Sequence, residues 1–137
     1  MHERIIRERP THIKRSRGSG NRFYGDLFYP GNLQHLIIDD FEHTFYAENE
    51  ILDILNKSDF GGSWQPRIWD CEDRVTWGYI HVRQKLKGCP IGRADGFVVG
   101  SEEFHSVIIF WLSGIDYKFY DPNTKSYCTF IPMKMIA

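Results

Sequence analysis

Cys71, His105 and Asp121 are the residues of this chain whose types and order could do chemistry. Cys71 stands in Asp70-Cys71-Glu72-Asp73, which reads as the start of a helix. A thiol becomes a useful nucleophile when something lowers its pKa, and a helix N-terminus and an imidazole are two agents that do so. A carboxylate beside the imidazole would fix its tautomer and orient the ring toward the sulfur.

The helix that must carry the thiol is the clearest element of the sequence. Asp70 suits the N-cap, and Glu72 and Asp73 place negative charge in the first turn, as the helix dipole prefers. Cys71, Val75, Tyr79, Val82 and Leu86 follow at steps of four, four, three and four, so they share one face. Lys85 and Lys87 lie in the last turn and Gly88 is a stop. A first helix is expected from Phe41 to Lys57, with Asp39 or Asp40 as its cap.

After Cys89 the pattern is that of sheet. Phe97-Val98-Val99 is one short strand, and Phe104 to Leu112 is an apolar run fit for a strand covered on both faces. Ile115 to Tyr120 alternates like a half-buried strand, and Tyr127 to Ile131 gives a fourth. A three-residue loop at Leu112-Ser113-Gly114 would pair Trp111 with Ile115, and hence His105 directly with Asp121. The expected fold is therefore α+β: two main helices packed on an antiparallel sheet of about four strands.

Composition sets the outer limits. The 137 residues are 42% hydrophobic and 15% aromatic, enough for one folded domain with a real core. A net charge of -1 argues against a dedicated nucleic-acid binder. Yet Arg4, Arg7, Arg9, Lys14, Arg15, Arg17 and Arg22 crowd the start, so residues 1–22 read as a basic, flexible arm before a single domain at 23–137. Such an arm could hold an acidic partner or nucleic acid. No apolar run is long enough to span a bilayer. Three cysteines without a Cys-x-x-Cys pair point to reduced thiols and a cytoplasmic setting.

The helix-opening Asp70-Cys71-Glu72-Asp73, a histidine leading an apolar strand, and Tyr120-Asp121-Pro122 closing the next resemble the papain-like and transglutaminase-like cysteine enzymes. The arrangement is most similar to the bacterial transglutaminase-like cysteine peptidases. That resemblance covers about residues 60 to 125. It implies a cysteine hydrolase, a thiol-dependent peptidase or amidase acting on a protein or peptide through an acyl-enzyme, with Cys71 as nucleophile, His105 as base and Asp121 as orienting group. It also implies Gln65 as an oxyanion-hole donor, Trp64 and Trp69 as cleft walls, and no metal or organic cofactor. Ser106 departs from the alanine common after the histidine. The alternatives are a non-catalytic binding module of the same fold and an acyltransferase of transglutaminase type.

Overall fold

A computed structural model of the chain describes residues 2–6, 22–24, 27–30, 33–37 and 42–137. Its elements run β1 (His2–Ile6), β2 (Arg22–Tyr24), β3 (Leu27–Tyr29), β4 (His35–Ile37), β5 (Glu42–Tyr46), α1 (Glu48–Lys57), α2 (Cys71–Lys85), β6 (Ile91–Val98), β7 (Phe104–Trp111), β8 (Tyr117–Asp121), β9 (Ser126–Tyr127) and β10 (Phe130–Ile136). The main sheet has six strands in the order β4-β10-β6-β7-β8-β9. It is mixed, because β4 joins β10 in parallel while its other pairs are antiparallel. β1 pairs with β5 and β2 with β3 in two smaller sheets.

This corrects the expected α+β layout of two helices on about four antiparallel strands: the fold is mostly sheet. The difference lies in the segments before α1 and at the chain end. Of the helix expected from Phe41, Glu42–Tyr46 is strand β5 instead, with buried His43 and Phe45 alternating with half-buried Thr44, and Phe41 itself lies outside the described residues. The helix starts only after Ala47, whose backbone N–H donates to the Glu50 side chain at 3.0 Å. The caps expected for it, Asp39 and Asp40, lie outside the described residues, as do Arg7 to Arg17 of the expected arm.

β7 carries the core on both faces. Ile108 and Phe110 pack with Ile51, Leu55, Phe60, Val75, Tyr79, Val82 and Tyr120 on the helical side. Val107, Ile109 and Trp111 pack with Leu27, Tyr29, Leu33, Phe45, Phe130 and Met135 on the other. Burying each such side chain contributes about 1.5–3 kcal/mol, so the early strands are a structural wall of the domain. Trp111 is fully buried, and its indole N–H donates to the Phe28 carbonyl at 2.9 Å.

Candidate functional site

The local sequence builds α2 as expected. The Asp73 backbone N–H reaches Asp70 Oδ1 at 3.5 Å, and the Asp70 N–H donates to Asp73 Oδ2 at 3.2 Å. This reciprocal cap holds Cys71 at the first helical position. The guanidinium of Arg74 donates to Asn123, tying the first turn of α2 to the turn that follows β8.

The thiol sits where the sheet opens. The β7–β8 ladder runs from Trp111–Tyr117 to Ile108–Tyr120 and stops there. Beyond it the His105 ring and the Ser106 backbone N–H lie close enough to the Cys71 thiol to act on its ionisation. His105 Nε2 lies 3.3 Å from Asp121 Oδ2. The other carboxylate oxygen, Oδ1, accepts the Asn123 backbone N–H at 2.9 Å, so both ends of the carboxylate are held. The structure thus brings Cys71, His105 and Asp121 into one line of contacts.

The register that does this differs from the expected one. Trp111 pairs with Tyr117 rather than Ile115, so the connection spans residues 112–116. The Ser113 hydroxyl accepts the Ile115 and Asp116 backbone N–H groups at 3.3 and 3.1 Å and shapes the longer loop. Continuing the register places Asp121 opposite Val107 and diagonal to His105. A shift of two keeps every side chain on its face, which is why the pair survives the change.

The electrostatics follow from these contacts. The His105 hydrogen bond holds the Cys71 thiol below its ordinary value, against the cost of burial; the Ser106 N–H and the charge of His105 add to it, and the charge of Asp70 opposes it. The opposing acid is therefore the cap residue itself, not Glu72 or Asp73. The Asp121 and Cys71 hydrogen bonds raise His105 to about 10, despite burial. Burial pushes Asp121 up, but bonds from His105 and Asn123 outweigh it and leave the carboxyl below its usual range. The other thiols go the opposite way: burial raises Cys89 to about 12, and burial with the Asp121 charge raises Cys128 to about 11.

Gln65 is exposed, and its backbone closes a small loop with Trp69 at 2.7 and 2.8 Å. Trp64 is half exposed. Trp69 donates its indole N–H to the Phe60 carbonyl at 2.9 Å and lines a groove that sequence reasoning missed. This groove, about 480 Å³, runs along α2 past Glu72, Trp77, His81 and Gln84 to Arg93. Trp77 stacks on His81 with centroids 4.8 Å apart, and a side chain at Gly61 would strike both the Trp69 and Trp77 rings, at 2.6 and 2.9 Å. The spacing of Trp77 and His81, four residues apart, was the available signal. Among the described residues, no three His, Cys, Asp or Glu side chains gather where they could hold a metal ion.

No protein-family model matches the chain, and no curated protein matches it. Solved structures do share its fold. A complex of PSL1a with E64 matches with a TM-score of 0.64 at 16% identity, over 84% of this chain and 45% of that one. Polyporus squamosus lectin, bound to the human-type influenza-binding epitope Neu5Aca2-6Galb1-4GlcNAc, matches with a TM-score of 0.57 at 18% identity, over 74% and 42%. The chain spans less than half the length of either neighbour. Its fold resembles that of a lectin, and this overturns the expected membership of the papain-like and transglutaminase-like superfamily. The expectations drawn from that membership are withdrawn with it: a thiol-dependent peptidase or amidase, and a protein or peptide as its substrate.

Proposed function

We propose that this chain is a ligand-binding module, not a hydrolase, with Cys71, His105 and Asp121 as the reactive centre of one binding site. The observation that carries the reading is the continuous line of contacts from the sulfur through the imidazole to the carboxylate. Such a line makes the sulfur a nucleophile able to hold an electrophilic ligand covalently. With iodoacetamide as the probe at about pH 6, Cys71 is expected to be labelled at least tenfold faster than a free thiol. Cys89 and Cys128 serve as internal references, since both are pushed to higher pKa. E64, the compound named with PSL1a, is the second probe, and an adduct on Cys71 is the expected product by mass spectrometry. Labelling of Cys71 no faster than the other two thiols would sink the reading.

A second reading has its own observation, the aromatic groove on α2. An indole face and the carboxylate of Glu72, with Gln84 and Arg93 beyond, suit a sugar ring, which offers C–H bonds on one side and hydroxyls at its rim. The lectin neighbour bound to a glycan supports carbohydrate as the ligand class. The trisaccharide Neu5Aca2-6Galb1-4GlcNAc is the probe in a calorimetric titration. Binding is expected, and Trp77→Ala should weaken it about tenfold or more. No binding by the unaltered chain ends this reading and leaves the thiol site standing.

A further inference from the structure

The Asp121 carboxylate is held by the turn that follows β8, and a side chain of α2 holds that turn. Residues 122–125 close tightly, with the Lys125 backbone N–H donating to the Asp121 carbonyl at 2.8 Å. Inside the turn the Asn123 N–H donates to Asp121 Oδ1 at 2.9 Å, while Oδ2 faces His105 Nε2 at 3.3 Å. Asn123 is exposed, and its side-chain oxygen accepts the Arg74 guanidinium. Arg74 stands three residues after Cys71, on the next turn of the same side of α2. The start of one helix therefore carries both the thiol and the cation that anchors the carboxylate's turn.

The placement of Arg74 costs it a hydrogen bond. Its Nε is buried and has no partner among the described residues, where a purely stabilising contact would satisfy it. The guanidinium lies over the Phe60 ring, 5.4 Å from its centroid. Phe60 is fully buried with a φ of 52°, a left-handed conformation that a bulky residue keeps only where its surroundings impose it. Those surroundings are specific. The Ser58 hydroxyl accepts the Phe60 N–H at 3.0 Å, and the Trp69 indole donates to its carbonyl. The ring fills the space beside Gly78, where a Cβ would stand 2.7 Å from it. A ring fixed in this way sets the path of the Arg74 side chain to Asn123.

We propose that Arg74 is a positioning residue for the reactive centre: through Asn123 it keeps the Asp121 carboxylate turned toward the His105 ring. This rests on the reading of Cys71 as the reactive sulfur. The charge of Arg74 and its geometry pull the imidazole in opposite directions, which makes the role measurable. A nearby cation disfavours the imidazolium, whereas a carboxylate held against the ring favours it. The groups that act on His105 are Asp121 and Cys71, and those that act on Asp121 are His105, Asn123 and Arg74. Tyr120 and Cys128 also feel the Asp121 charge.

The test is an NMR titration of the His105 ring in the full chain from about pH 6 to about 11, with its signals assigned by their loss in His105→Ala. Arg74→Met keeps the stem over Phe60 but brings no donor to Asn123. Asn123→Ala leaves every charge and the backbone N–H to Asp121 in place and removes only the acceptor. In both, the His105 midpoint is expected to fall by about one pH unit, a roughly tenfold weaker hold on the proton. Labelling of Cys71 by iodoacetamide at about pH 6 should slow about fivefold in each. Lys125→Met frees the other end of the turn, where Nζ donates to the Asn56 carbonyl at 3.2 Å, and should leave the midpoint where it is. A midpoint unchanged or raised in Asn123→Ala overturns the proposal. So does an equal fall in Lys125→Met, since any loosening of the turn would then suffice. Slow labelling of Cys71 in the unaltered chain, with His105 still lowered by both substitutions, fails the thiol reading and leaves the hold on the carboxylate standing.

Discussion

His105→Ala is expected to slow the alkylation of Cys71 by iodoacetamide at about pH 6 by roughly a hundredfold. The imidazole is the largest influence lowering the thiol pKa, through its hydrogen bond first and its charge as well. Without it, burial and the Asp70 carboxylate remain, and both favour the neutral thiol. The loss is smaller than the change in thiolate fraction, because a thiolate of higher pKa is intrinsically the better nucleophile. Asp121→Asn should cost less: it removes the first support of the imidazolium but leaves the ring beside the sulfur. Rates measured residue by residue by mass spectrometry check this, and a His105→Ala protein that still labels Cys71 at the original rate would refute it.

The same pair predicts an unusual pH dependence of stability. His105, raised from 6.5 to about 10, contributes stability that is full below 6.5 and lost as pH rises to about 10. Cys71, lowered from 9.0, contributes stability that is full above 9.0 and lost as pH falls through its folded value. Between 6.5 and 9.0 the two slopes oppose one another. Above 9.0 only that of the imidazole remains, so the pair's share of the unfolding free energy should decline there as pH rises to about 10. Comparison of the unaltered chain with Cys71→Ser by urea denaturation isolates it.

How far the sequence announced all this depended on how local each determinant is. The cap at Asp70, the apolar stripe from Cys71 to Val82 and Gly88 with its positive φ of 77° just past the helix all lie in or beside α2, and each could be read from neighbours in the chain. The meeting of Cys71, His105 and Asp121 needed only that strand parity be kept, so it survived a wrong loop length. The Phe41 helix failed because Phe41 and Phe45, four apart, satisfy a strand's period of two as well as a helix's. The parallel pairing of β4 with β10 joins residues about a hundred positions apart, and no local pattern encodes it. The superfamily was misjudged for a related reason: three side chains specify what a sulfur can do, whereas the fold depends on what the rest of the chain packs around them.

The glycines of β6 carry the sharpest consequence of that distant packing. The strand was expected only over Phe97-Val98-Val99, and Gly92 and Gly96 come before it in the chain. In the structure they lie inside β6, because the backbone of β10 comes too close for a side chain. A Cβ at Gly92 would stand 2.0 Å from the Ile136 carbonyl oxygen and 2.7 Å from the Ala137 Cα. At Gly96 the Ile131 oxygen would be 2.1 Å away. These obstacles are backbone atoms of a paired strand, which cannot rotate aside like a flexible side chain. Relief requires β10 to move off β6, and β10 also carries the pairing to β4. Gly92→Ala is therefore expected to destabilise the fold by about 4 kcal/mol, near the top of the range for single substitutions. Gly62→Ala is the reference: a Cβ there meets nothing within 4 Å, so only its positive φ of 132° opposes the change. Denaturant midpoints for the two variants decide the matter, and a Gly92→Ala protein within about 1 kcal/mol of the unaltered chain would show that β10 does not press on β6 as described.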